Sequence, residues 1–178
     1  MIVGKKIKLT PTEWAYLAGI VDGEGFISFV PRGVSKHGMI RMRAPCVGVS
    51  STNKELIDWV KTRAAGTAAK WDHGMTNSKL TYNWRVTHLR AVQLIAGCLP
   101  YLVIKRKQAE LLLRHQQIRS HARSNGGMVR TKEFWITYSP DVVAELNTIH
   151  NAMFDLNARG KAGKSLAKRV LCGTRVEV

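Results

Sequence analysis

Residues 10 to 25, TPTEWAYLAGIVDGEG, constrain this chain more than any other stretch. Thr10 can cap a helix, Pro11 suits the first helical position, and Glu13 stands three residues after the cap, where its side chain can return the hydrogen bond. The spacing predicts a helix that begins near Pro11 and runs on through the glycines. Along it Ala15, Gly19 and Gly23 recur every fourth residue with Ala18 beside them, so one face carries almost no side chain. A mid-helix glycine costs about 1 kcal/mol relative to alanine, a penalty with no return in a solitary helix. A closely approaching second helix supplies the return. Ala15, Ala18, Gly19 and Gly23 are therefore read as a seam between two copies of the chain. Asp22 and Glu24 fall at the helix C-terminus, where the macrodipole is already negative. Carboxylates there require a compensating cation, and a divalent metal is the obvious one.

The 178 residues suffice for one domain with a real core, and a 45% hydrophobic content agrees. Lys and Arg number 28 against 12 acidic residues, a formal charge of +16, which points to a polyanionic partner. No run approaches the roughly 18 apolar residues of a membrane span, and MIVGKKIKLT lacks a secretion-signal core. The expectation is an intracellular, non-secreted protein without a membrane partner, in a bacterial or archaeal cytoplasm or an organelle. Cys46, Cys98 and Cys172 are odd in number and form no CxxC pair, which argues for idle thiols.

After the first helix, Phe26 to Val30 reads as a strand and Met39 to Ser50 as a longer one, with Pro45 suggesting an edge or a bulge. Thr52-Asn53-Lys54-Glu55 resembles a second capping box, opening a helix from about Asn53 to Ala65 that Gly66 closes. Thr67–Asp72 and Leu80–Thr87 read as a hairpin, Leu89–Cys98 as a short helix, and Lys105–Ser120 as a longer one. His121 to Arg130, with Gly126-Gly127, reads as a mobile loop. Ser139-Pro140-Asp141 begins a last helix striped by Val142, Leu146, Ile149, Met153 and Leu156. Residues 157–178 read as a basic tail behind a single domain spanning 1–156. The expected class is α+β, with a four-stranded antiparallel sheet and helices on one face.

Leu17-Ala18-Gly19-Ile20-Val21-Asp22-Gly23-Glu24-Gly25 resembles the signature of the LAGLIDADG homing endonucleases. The stretch from Leu99 to Leu111, LPYLVIKRKQAEL, is similar to the family segment that carries an active-site lysine, and Tyr82–Val86 resembles a family strand. The likeness runs from about Thr10 to Leu113. It implies an αββαββα fold with a saddle-shaped sheet, and a metal-dependent DNA endonuclease. The chain has one nonapeptide, so the resemblance is to the homodimeric type.

One sheet face should then meet double-stranded DNA. Alternation places Leu80, Tyr82, Trp84 and Val86 inward, leaving Thr81, Asn83, Arg85 and Thr87 outward. Ser28, Arg32, Lys36, His37, Arg41, Arg43, Lys70, Asp72, His73, Asn77, Lys79 and Lys107 complete the candidate DNA contacts. Arginine and asparagine suit guanine and adenine edges in the major groove. Each residue alone reads equally well as a solvated polar position.

By resemblance Glu24 is the metal-binding carboxylate, with the Gly23 carbonyl beside it, and Mg²⁺ or a similar ion such as Mn²⁺ is the expected cofactor. No small-molecule cofactor is implied. Two subunits would bring both copies of Glu24 to the middle of the assembly, one near each DNA strand. Asp22 bonds backbone at the seam or acts as a structural cap, and Lys105 screens phosphate, polarises water or anchors the backbone. Ser51, with Asn53 and Arg43 as unranked alternatives, would hold the reacting water. A homodimer implies a nearly palindromic target. The rival reading is a non-cleaving nucleic-acid binder such as an intron-splicing maturase or a DNA-binding regulator. Gly163-Lys164-Ser165 follows a helix and is no P-loop, and His115 and His121 lack partners at metal-ligand spacing.

Overall fold

A computed structural model describes residues 6–34, 40–72, 79–129 and 137–158. Helix α1 (Pro11–Glu24) opens with the capping box: Thr10 N–H donates to Glu13 Oε2 at 2.9 Å, and Glu13 N–H to Thr10 Oγ1 at 3.3 Å. Then come β1 (Gly25–Val34), β2 (Ile40–Ser51), α2 (Lys54–Ala64), β3 (Thr67–Trp71), β4 (Thr81–Thr87) and α3 (His88–Cys98). A short 3-10 turn (Leu99–Tyr101) leads to α4 (Arg106–Ser124), and β5 (Met128–Val129), β6 (Thr137–Tyr138) and α5 (Pro140–Asn157) finish the order. The fold is α+β, its four-stranded antiparallel sheet ordered β1-β2-β4-β3. The chain divides into two compact units, Met1–Ile27 with Pro45–Glu110 and Ser28–Ala44 with Leu111–Val178.

In the first unit α2 and α3 pack on β4, whose Trp84 and Val86 are buried while Arg85 is exposed. Trp84 Nε1 donates to the Ala65 carbonyl at 2.5 Å, pinning the exit of α2. Gly66 holds φ +95 there, and a Cβ on it would stand 2.6 Å from the Arg85 carbonyl, so only glycine fits. The cap of α2 is Asn53, not Thr52: its Oδ1 accepts the Leu56 N–H at 3.1 Å. Pro45 lies in an interior strand, which corrects the edge alternative. It is tolerated because the β4 ladder ends at the Cys46–Thr87 pair, so no β4 hydrogen bond is lost at residue 45. Cys46 and Cys98 are free and buried, and burial, helped by the Asp22 carboxylate, pushes the Cys98 thiol up to about 12.

In the second unit α4 runs to Ser124, correcting the loop expected from His121. Gly126 (φ +72) turns the chain, and β5 pairs with β6 in a two-stranded ribbon that composition did not foreshadow. Ala122, Tyr138 and Leu146 form its core with Ile118, Met128, Val142 and Val143. Arg130 and residues 159–178 lie outside the described residues. Among the described residues no helix is long and apolar enough to cross a membrane.

His115 of α4 and His150 of α5 are buried with ring centroids 5.1 Å apart, and the Phe29 ring lies 4.4 Å and 4.9 Å from them. Burial, then the opposing His150 and Arg119, lowers the His115 pKa to about 2; burial, then Arg43 and Arg119, lowers that of His150 to about 3. The unfolded chain takes up these two protons below about pH 6.5 and the folded chain does not, so stability falls as pH drops below that value. Each histidine should remove up to roughly 1.4 kcal/mol per pH unit. Thermal melts from about pH 7.5 to 5 should show Tm falling steeply, with the slope largely removed in His115→Phe/His150→Leu; a Tm flat across that range in the unaltered protein contradicts it.

Candidate active site at the end of the first helix

The last turn of α1 contains Asp22 and Glu24 and no basic residue. Asp22 is buried, and its carboxylate accepts three backbone N–H groups: Val103 at 2.7 Å and Ile104 at 3.2 Å on Oδ2, and Lys105 at 2.9 Å on Oδ1. These residues immediately precede α4, whose first intrahelical bond runs from Ala109 N–H to the Lys105 carbonyl. Asp22 thus caps the start of α4, where a negative charge is favourable, while standing at the end of α1, where it is not. The half-buried Lys105 offsets the second effect, because its ammonium donates to the Asp22 main-chain carbonyl. One carboxylate and one ammonium therefore lock two helix ends together.

Glu24 is different. It is exposed, and among the described residues it makes no hydrogen bond or ion pair. Its neighbour Gly25 closes α1 through its N–H to the Val21 carbonyl, and a Cβ there would stand 2.8 Å from the Val21 backbone and 3.0 Å from the Gly48 carbonyl. Only glycine lets β1 leave the helix at that angle. Gly19 and Gly23, in contrast, have no atom within 4 Å of an added Cβ. The fold of one chain does not require glycine at either place. Ala15, Gly19 and Gly23 form an exposed strip, whereas Ala18 is fully buried in its own chain and Asp22 is held as a cap.

The donors at this helix end are the Glu24 carboxylate and main-chain carbonyls, which lack helical partners in the last turn. Such hard oxygens suit Mg²⁺ and its relatives, and the Lys105 ammonium is held by the carbonyl of Asp22, nearby in sequence. Among the described residues no three His, Cys, Asp or Glu side chains gather in a cluster able to hold a metal.

Sheet register sorts the other candidates. Arg85 pairs with Gly48 and Thr67, and Asn83 with Ser50 and Ala69, so these share the face opposite Trp84. Ser50 Oγ donates to Asn83 Oδ1, which leaves the Asn83 amide N–H groups for other partners. Lys70 stands across from Tyr82, on the side of Trp84, which corrects its placement in the polar row. Trp71, unremarked in the sequence, pairs with Thr81 on the polar face and is 58% exposed. Counting alternate residues back from Trp71 to Ala69 and Thr67 would have found it.

Ser51 also pairs with Tyr82, away from the polar row, and its Oγ accepts the Asn53 N–H at 3.1 Å. Ser51 and Asn53 thus form the entrance to α2. Arg43 lies in the second unit, close enough to His150 to depress its pKa, and Ser28 is half-buried there. Asp72, Lys79 and Lys107 are exposed. Lys36, His37, His73 and Asn77 lie outside the described residues, and for Arg32 and Arg41 only the backbone, within β1 and β2, is described.

No protein-family model and no curated protein matches the chain. Solved structures do. The homing endonuclease I-CvuI, in complex with its target in the presence of calcium, aligns over 90% of both chains with TM-score 0.65 and 21% identity. The archaeal intron-encoded homing endonuclease I-Vdi141I, complexed with DNA, aligns over 89% of this chain and 92% of its own, with TM-score 0.62 and 12% identity. This chain has the LAGLIDADG homing-endonuclease fold. A further protein of that fold, the LAGLIDADG meganuclease I-CpaMI bound to uncleaved DNA, aligns over 90% of this chain and only 48% of its own, with TM-score 0.57 and 16% identity.

The two acidic residues of this fold's first helix should respond oppositely in stability. Asp22→Asn leaves buried N–H groups poorly matched and should cost about 1–3 kcal/mol. Glu24→Gln removes a charge from the negative end of a dipole and should be neutral or stabilising by a few tenths of a kcal/mol. Urea unfolding of both variants checks the pair; equal losses would contradict it.

Proposed function

We propose that the chain is a site-specific, metal-dependent endonuclease for double-stranded DNA, acting as a homodimer on a nearly palindromic site and encoded within an intron. The observation that carries this reading is the end of α1: glycines that the chain's own packing does not require lead to an exposed Glu24 that has no partner among the described residues. Glycine there is explained when a second α1 packs against the strip, since each open position otherwise costs about 1 kcal/mol. The I-CpaMI comparison is compatible with the same stoichiometry, because this chain covers 48% of that DNA-bound enzyme, which leaves a length for a second unit of similar size.

In the dimer the two Glu24 carboxylates and the Gly23 carbonyls would hold the metal, with the duplex phosphates completing its oxygen shell. Bound there, a divalent ion supplies charge to stabilise the leaving oxygen and to acidify water. Lys105, anchored by Asp22, presents a cation to the same phosphates. Asn83 and Arg85 face base edges, and the +16 charge draws in the duplex.

The test is incubation of purified protein with Mg²⁺ and a plasmid library of candidate intron-insertion junctions, followed by sequencing of the ends. Cutting at one symmetric sequence is expected. Glu24→Gln should lower cutting at least about 100-fold while duplex affinity changes less than about threefold, because a ligand charge is lost and size is kept. Substantial residual cutting refutes the role of Glu24. Tight specific binding with no cutting by the unaltered protein would instead identify a non-cleaving binder.

A further inference from the structure

The polar face of the first unit carries the Phe26 ring over Gly48 and, at its margin, a second large apolar side chain that is mostly exposed. Trp71 ends β3, an edge strand, and remains 58% exposed. Its row partners are polar or small: Thr81 opposite, Asn83 and Arg85 further along β4, and Thr67 and Ala69 behind it on β3. Same-face residues on a strand advance by about 6.6 Å, close to two base-pair steps of about 3.4 Å. Thr67 and Trp71 are therefore spaced to meet bases about four steps apart, with Arg85 beside Thr67 and Asn83 between. Arg85 and Asn83 can hydrogen-bond purine edges. An exposed indole in the same row has one apolar counterpart on the major-groove floor, the C5-methyl group of thymine.

We propose that Trp71 is a specificity-determining residue that reads the methyl group of one thymine in each half of the DNA site. The inference rests on the DNA-binding reading above and adds to it a base identity at one position. Placing the methyl group against the indole removes apolar surface of both from water, and cytosine, adenine or guanine at that position offers no equivalent group. Arg85 and Asn83 lie on the same face and fix the register, so the thymine should fall a few base pairs to one side of the base read by Arg85.

The experiment selects binders from a randomised duplex pool with the full chain in the absence of divalent metal. Deoxyuridine, which lacks the methyl group, then replaces each thymine of the selected site in turn. At one thymine per half-site the replacement should weaken binding about fourfold, the equivalent of one buried methyl group. Trp71→Ala should be indifferent to that replacement and lose its preference at that position alone, while Trp71→Phe keeps both. Near-ultraviolet cross-linking of 5-iodouracil at that position, mapped on the unaltered protein, should fall on Trp71, which decides the matter even if the alanine variant folds poorly. The proposal is overturned if the unaltered protein tolerates deoxyuridine at every thymine, if the cross-link maps elsewhere, or if Trp71→Ala keeps the full preference. If the unaltered protein enriches no sequence at all, the DNA-binding reading fails first and the inference falls with it.

Discussion

The three hydrogen bonds from Val103, Ile104 and Lys105 to one buried carboxylate join the end of α1 to the start of α4. Asp22 sits where the field of α1 opposes it and the field of α4 favours it, and Lys105 neutralises the unfavourable part. Removing Asp22 from the helix would free both ends. With it in place, the neighbouring Glu24 is carried to a fixed position without being consumed by any contact of its own. Two acids two residues apart thus have different tasks because one meets N–H groups and the other meets solvent.

The same helix separates what one chain needs from what an assembly needs. Gly25 is required locally, since a side chain would strike the Val21 and Gly48 backbones; Gly19 and Gly23 stand in open space. A residue type with low helix propensity, kept where nothing nearby demands it, points outward to a second body. The proposed dimer places the helix pair beside Glu24, an exposed carboxylate with no partner among the described residues.

Much of this was legible from local rules. The capping box of Thr10 and Glu13, the alternation of Leu80 to Val86 and the stripe from Leu146 to Met153 are short-range patterns, and the elements stand where they predict. The failures came from tertiary context. Pro45 fits an interior strand because its neighbour happens to end one residue earlier, which no reading of β2 alone reveals. The helix beyond Ser120 persists because Ala122 is packed under Tyr138 and Leu146, overriding the polar composition. Lys70 falls on the side of Trp84 and Trp71 on the polar side once the register of β3 with β4 is known, and Ser51 Oγ accepts an N–H at the entrance to α2. Which face a side chain occupies is a property of pairing, so composition put lysine, the obvious phosphate ligand, in the row that tryptophan occupies.

In the proposed function, the working unit joins two chains through the bare strip of α1. The most direct measurement is light scattering of the protein on its own and on a duplex carrying its selected site. The predicted mass on DNA is two chains of 19.9 kDa each per duplex. A single chain per duplex that still cuts both strands would contradict it.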